Sequence, residues 1–286
     1  MPKKKQRNKL TKGNPPKRGF PWFIWLGIGI TVMVLAVVAF LLVRNASPCG
    51  QIIEIQPNEL RCAIIDQFSD ATDRPFVTQA TEILNNYGFQ VDVFPKDDIT
   101  VDLYRRLPCY GYNLIILRVH AGVLENEAGR RESIWLFTAE PYQRMRYYMA
   151  QLRNQVTVAK PSDTGDIVFA VGARFIGECS ASDYAGTTVI NMGCAGYYTD
   201  ELARAFVDDG AACYIGWDAS VELGYADDAT VLLVDKVCAG ELTVSEAVNT
   251  TMEEKGLDPT GRAMLKYYPP ASGGETLGQL LETDEP

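Results

Sequence analysis

The sequence predicts an α/β domain, a mostly parallel sheet flanked by helices, preceded by one transmembrane helix. Three observations predict it. Short apolar runs that read as buried strands alternate with stretches of helical spacing, the rhythm of a parallel sheet covered by helices. A charge-free run of 22 residues occupies 22–43. Hydrophobic residues make up 47% of the 286 and charged ones 22%, and the roughly 240 residues beyond the run suffice for one large core.

The N-terminal elements come first. Residues 1–44 hold nine basic residues and no acid, which reads as a basic cytoplasmic segment over 1–21. Residues 22–43 follow, long enough at about 1.5 Å per residue to span a bilayer core of about 30 Å. Trp22 and Trp25 suit the headgroup level, and the basic cluster before them sets the N-terminus in the cytoplasm and the C-terminal domain outside. A cleaved signal peptide would have an apolar stretch of about 7–15 residues and a small-residue cleavage site. The run is longer than that. The expectation is a single-pass cell-membrane protein with the membrane as partner through 22–43, a linker over 44–60, and an extracytoplasmic domain over 61–268.

The rest of the chain carries 18 basic against 36 acidic residues, a net of −18. Phosphate binding needs a basic face, so nucleic acid is excluded as a partner. Cysteines stand at 49, 62, 109, 179, 194, 213 and 238. Outside the cytoplasm thiols oxidise in pairs, and an odd count leaves one over; six paired would leave Cys194 reduced.

Within the domain, residues 61–66 form an apolar run and predict a buried strand. Helical spacing over 76–87 stops at Gly88, a natural C-cap. Residues 90–94 alternate as a strand, and 113–119 form a second buried strand running into His120. The stretch 124–182 is less regular, with strands at 134–138, 155–159 and 166–171 and a helix over 142–154. The rhythm returns with a strand at 187–192, a helix over 199–209 with Thr199 as N-cap, and a strand at 212–216. Helices follow over 227–239 and 245–255, and 269–286 reads as a mobile acidic tail.

The sequence contains one histidine, His120, where a buried strand ends. A second buried strand ends in Gly193 and Cys194. In a parallel sheet the carboxyl ends of the strands line the ligand crevice, so neighbouring strands would bring imidazole and thiol to one rim. There the imidazole can move a proton while the thiolate attacks a carbonyl. Nearby glycines leave backbone N–H groups open to a developing oxyanion. The sequence lacks the GxSxG of a serine hydrolase, and no two cysteines form a CxxC zinc pair, so no metal or cofactor is expected. Asp66, Asp70 and Asp73 read as a solvated acidic loop rather than a cation site.

A hydrophobic strand ending in histidine, then one ending in Gly193 and Cys194, resembles the caspase-like (clan CD) cysteine peptidases. Residues 202–221 resemble the helix and strand after the nucleophile in gingipain-like and CHAT-type members. The resemblance implies a three-layer caspase-like fold, Cys194 as nucleophile and His120 as general acid/base, with a peptide or protein substrate lying along 215–221. The family's His-Gly is displaced here, so either Ala121 or Gly122 would join the Cys194 amide in the oxyanion hole. Asp66 and Asp218 are acidic candidates for a Lys or Arg substrate side chain, and Trp217 for a crevice wall. The expectation is a membrane-anchored extracytoplasmic cysteine endopeptidase; the alternative is an inactive ectodomain of that fold that binds a peptide or protein.

Overall fold

A computed structural model describes residues 31–35, 59–70, 75–125, 131–161, 165–178 and 184–282. The chain divides into two units, Met1–Ser47 and Pro48–Pro286. Of the first, only 31–35 is described, as helix. Among the described residues no helix is long and apolar enough to cross a membrane. A span needs about 20 apolar helical residues. The expected transmembrane helix is therefore corrected: most of 22–43 lies outside the described residues, and the described part amounts to five. The single-pass cell-membrane placement and the extracytoplasmic domain are corrected with it.

The second unit is α/β with a mixed sheet. Its strands are β1 (Arg61–Asp66), β2 (Gln90–Pro95), β3 (Leu114–Arg118), β4 (Ala121–Glu125), β5 (Arg131–Pro141), β6 (Val156–Ala159), β7 (Val168–Gly172), β8 (Thr188–Asn191), β9 (Cys213–Trp217) and β10 (Leu265–Tyr268). Its helices are α1 (Phe76–Asn86), α2 (Val101–Arg106), α3 (Tyr148–Leu152), α4 (Ala173–Ile176), α5 (Glu201–Asp208), α6 (Leu223–Cys238), α7 (Val244–Lys255) and α8 (Leu277–Glu282). The main sheet runs β10-β9-β8-β3-β1-β2, parallel except for β10. Strands β3, β8 and β9 are buried at every position, as sheets covered on both faces require.

Alternation along the strands feeds two cores. Cys62, Ile64, Ile116, Ile190 and Ile215 pack against α1, α6 and α7. Ala63, Ile65, Ile115, Leu117 and Val189 face the other way, onto α2, α5 and a second sheet. That sheet, β4-β5-β7-β6, is antiparallel and arises from the 124–182 region together with the residues just after His120. Ile134, Leu136, Val156, Phe169 and Val171 bury its inner face.

Two helix expectations change. The helix over 142–154 shrinks to α3, because Tyr147 takes a left-handed φ of 54° and its ring packs on Phe169 at 5.2 Å. The helix over 199–209 begins later, at Glu201, with Asp200 rather than Thr199 as N-cap. The tail is ordered through α8, where Leu277 and Leu280 are buried in the α6/α7 core; a mobile tail is corrected for 269–282, and 283–286 lie outside the described residues.

Candidate active site

Strands β3 and β8 are parallel neighbours, with Leu117 opposite Asn191. Two residues past the end of β3 comes His120, and three past the end of β8 comes Cys194. Both reach the α6 side of the sheet, where Leu223 and Ala226 line a cavity with them. His120, Cys194, Phe68, Arg118, Val119, Met192, Val221, Leu223 and Ala226 line one cavity of about 140 Å³ at the carboxyl ends of these strands.

The histidine is fixed from both sides. Its amide donates to Gln67 Oε1 at 2.7 Å, and Gln67 Nε2 donates to the Thr138 carbonyl at 2.9 Å. Its carbonyl accepts from the Phe137 amide at 2.9 Å, and the ring lies 4.5 Å from that of Phe68. Burial is the larger cause that holds the imidazole below its usual 6.5, with the Lys96 ammonium adding to the effect.

Cys194 sits in a built turn. Asn191, fully buried, accepts the Gly193 amide at 2.8 Å and donates to the Tyr214 hydroxyl at 2.7 Å; that hydroxyl donates to the Gly196 carbonyl at 2.8 Å. The Ala195 amide reaches the Ala219 carbonyl at 2.8 Å. Ala195 takes φ 55°, a conformation uncommon outside glycine, which the surrounding bonds hold in place. A Cβ on Gly193 would stand 2.6 Å from the Ala121 Cβ, so only glycine lets the Cys194 turn approach the chain leaving His120. The Cys194 thiol is half-buried and donates to the Val221 carbonyl at 3.4 Å.

Ala121 and Gly122 have different surroundings. Because the His120 carbonyl bonds Phe137, the antiparallel ladder turns the backbone groups of His120 and Gly122 towards β5. Those of Ala121 turn the other way, to the side of β4 that no described strand pairs. A Cβ on Gly122 would meet the Phe137 ring at 2.8 Å, so that glycine makes room for packing. Of the two, Ala121 has its backbone groups on the side away from β5.

The remaining expected site residues lie elsewhere. Asp66 is buried against Arg118, its Oδ1 2.6 Å from Nη1, and offers no free carboxylate. Trp217 is fully buried in the α6/α7 core beside Tyr225, not on a crevice wall. Asp218 accepts the Met264 amide at 2.8 Å and helps join β9 to β10. Strand β9 is paired on both sides by β8 and β10, and the Asp218 amide goes to Met264, so an extended peptide cannot add along 215–218. No described residue of 124–182 lines the cavity.

Cys62, Cys194, Cys213 and Cys238 are all free thiols, which corrects the expected pairing of six cysteines around a single reduced one. Sequence reasoning missed Gln67, Asn191, Tyr214 and Asp227. One signal was present: an arginine, Arg118, ends an otherwise apolar strand and so demanded buried acidic partners. No protein-family model matches the chain, and no curated protein is significantly similar to it.

Proposed function

We propose that this chain is a thiol-dependent peptidase in which Cys194 attacks a peptide carbonyl and His120 moves the protons. The observation that carries this reading is the shared cavity: a free thiol and a neutral imidazole at the ends of neighbouring parallel strands. His120 takes the Cys194 proton as sulfur bonds the carbonyl carbon. The protonated ring then gives that proton to the leaving amine as the C–N bond breaks. Water attacks the thioester, passing its proton to His120, and the acid leaves as the thiol is restored. The Cys194 and Ala121 amides are the donors proposed for the oxyanion. A mostly parallel sheet flanked by helices, with histidine and cysteine at strand ends, adds support through the resemblance to caspase-like peptidases.

The experiment is hydrolysis of a fluorogenic peptide pool by the wild-type, Cys194→Ala and His120→Ala proteins, each checked for folding by circular dichroism. The reading expects both variants to lose activity at least 100-fold while folded. Equal turnover by Cys194→Ala removes it. One observation favours a second reading, a peptide-binding module of the same fold: the Cys194 thiol donates to the Val221 carbonyl, a use consistent with a structural thiol. That reading expects saturable peptide binding, no turnover, and no labelling of Cys194 by an electrophilic peptide.

A further inference from the structure

The cavity beside Cys194 has a chemical character of its own. Phe68, Val119, Met192, Val221, Leu223 and Ala226 give it carbon walls, and Arg118 is the one charged lining residue besides the titratable pair. Each of the three guanidinium nitrogens is engaged. Its Nε and Nη2 meet the two carboxylate oxygens of Asp227 at 2.7 and 2.8 Å, and Nη1 meets Asp66 at 2.6 Å. Phe68 and Phe76 lie over it at 5.3 and 5.2 Å. Neither Asp66 nor Asp227 reaches the cavity lining.

This arrangement opposes both signs of charge. A cationic substrate side chain entering the cavity meets a guanidinium, and the carboxylates it would need stand behind that group. An anionic one meets a guanidinium whose nitrogens are already bonded to two carboxylates, so it is desolvated without a free partner. A neutral apolar side chain loses nothing and gains burial. At about 10–15 Å³ for each water-sized group, a volume of about 140 Å³ admits a leucine or methionine side chain.

We propose that this cavity is the specificity pocket, and that it selects an uncharged aliphatic side chain on the substrate residue whose carbonyl Cys194 attacks. Met192 and Ala226 set its size; Arg118, held by Asp66 and Asp227, keeps charge out. The proposal rests on the peptidase reading above.

The test measures kcat/KM of the full chain on peptidyl-coumarin substrates with Leu, Met, Ala, Phe, Lys, Arg, Asp or Glu before the scissile bond. Leu and Met are expected to exceed Lys, Arg, Asp and Glu at least tenfold. Ala226→Leu, which fills the cavity, should invert the Leu-to-Ala ratio; Met192→Ala, which enlarges it, should raise the Phe-to-Leu ratio and serves if the first variant does not fold. Preference for a charged residue, or an unchanged ratio in a folded variant, overturns the specificity while leaving the peptidase reading intact. Absence of both turnover and labelling of Cys194 by a leucyl or a lysyl acyloxymethyl ketone overturns the peptidase reading and this proposal with it.

Discussion

Burial leaves the His120 imidazole neutral at pH 7, able to take a proton from a thiol in the same cavity. Its folded pKa lies below the unfolded value, so the unfolded chain binds more protons between the two. Stability from this group is therefore present above about pH 6.5 and is lost as pH falls towards the folded value. Because the chain has a single histidine, one imidazole NMR titration reads it directly. The expected midpoint is below 6.5, and Lys96→Gln should move it upward by removing a repelling cation. At Gly193 the account is steric. Gly193→Ala forces a Cβ into contact with Ala121, and the expected cost is about 1–3 kcal/mol, read by urea unfolding, with slower alkylation of Cys194 as the turn shifts. At this scale the two residues of the proposed pair were legible, since each follows a strongly apolar strand. The fate of Asp66 was not, because it depends on Arg118, 52 residues later in the chain.

Elements carry the site through ties between strand ends. Arg118 links β3 to the end of β1 and to α6, through Asp66 and Asp227. Arg118→Met leaves two buried carboxylates unpaired, and the expected loss is about 3–5 kcal/mol by denaturant titration. The double replacement of Asp66 and Asp227 by asparagine in that variant should restore part of it. Asn191 and Tyr214 join β8 and β9 beneath the Cys194 turn. Buried strands were readable because a face-to-face covered sheet demands continuous apolar runs. The helix over 142–154 was misread because its spacing is helical while tertiary contacts decide: Arg146 pairs with Glu140 at 2.7 Å and Tyr147 turns left-handed. Tertiary packing overrode a local pattern.

For the whole molecule, the mostly parallel sheet was legible and the second sheet was not: strands at 134–138, 155–159 and 166–171 were expected, but β4 was not, and nothing in those runs showed that they pair with one another. The tail was misjudged on composition. Its glycines and acids suggest mobility, yet Leu277 and Leu280 close the core beneath α7. Ending the chain at Tyr268 should destabilise the fold by about 3 kcal/mol or more, the loss expected for two buried leucines, with a lower melting temperature as the readout. The charge-free run at 22–43 met every sequence requirement for a span, but no described helix bears it out.

Within that unit the free thiols differ sharply. Cys62 and Cys213 are fully buried, and burial pushes the Cys213 and Cys238 thiols up to about 12. Cys194 alone among the four lines the cavity with an imidazole. The most direct test alkylates the native protein with iodoacetamide at pH 7 and maps each modified cysteine by mass spectrometry over time, in wild type and His120→Ala. The account predicts that Cys194 is modified first of these four and that its rate falls at least tenfold without the imidazole. Equal rates in the two proteins, or modification of Cys194 no faster than of Cys238, would contradict it.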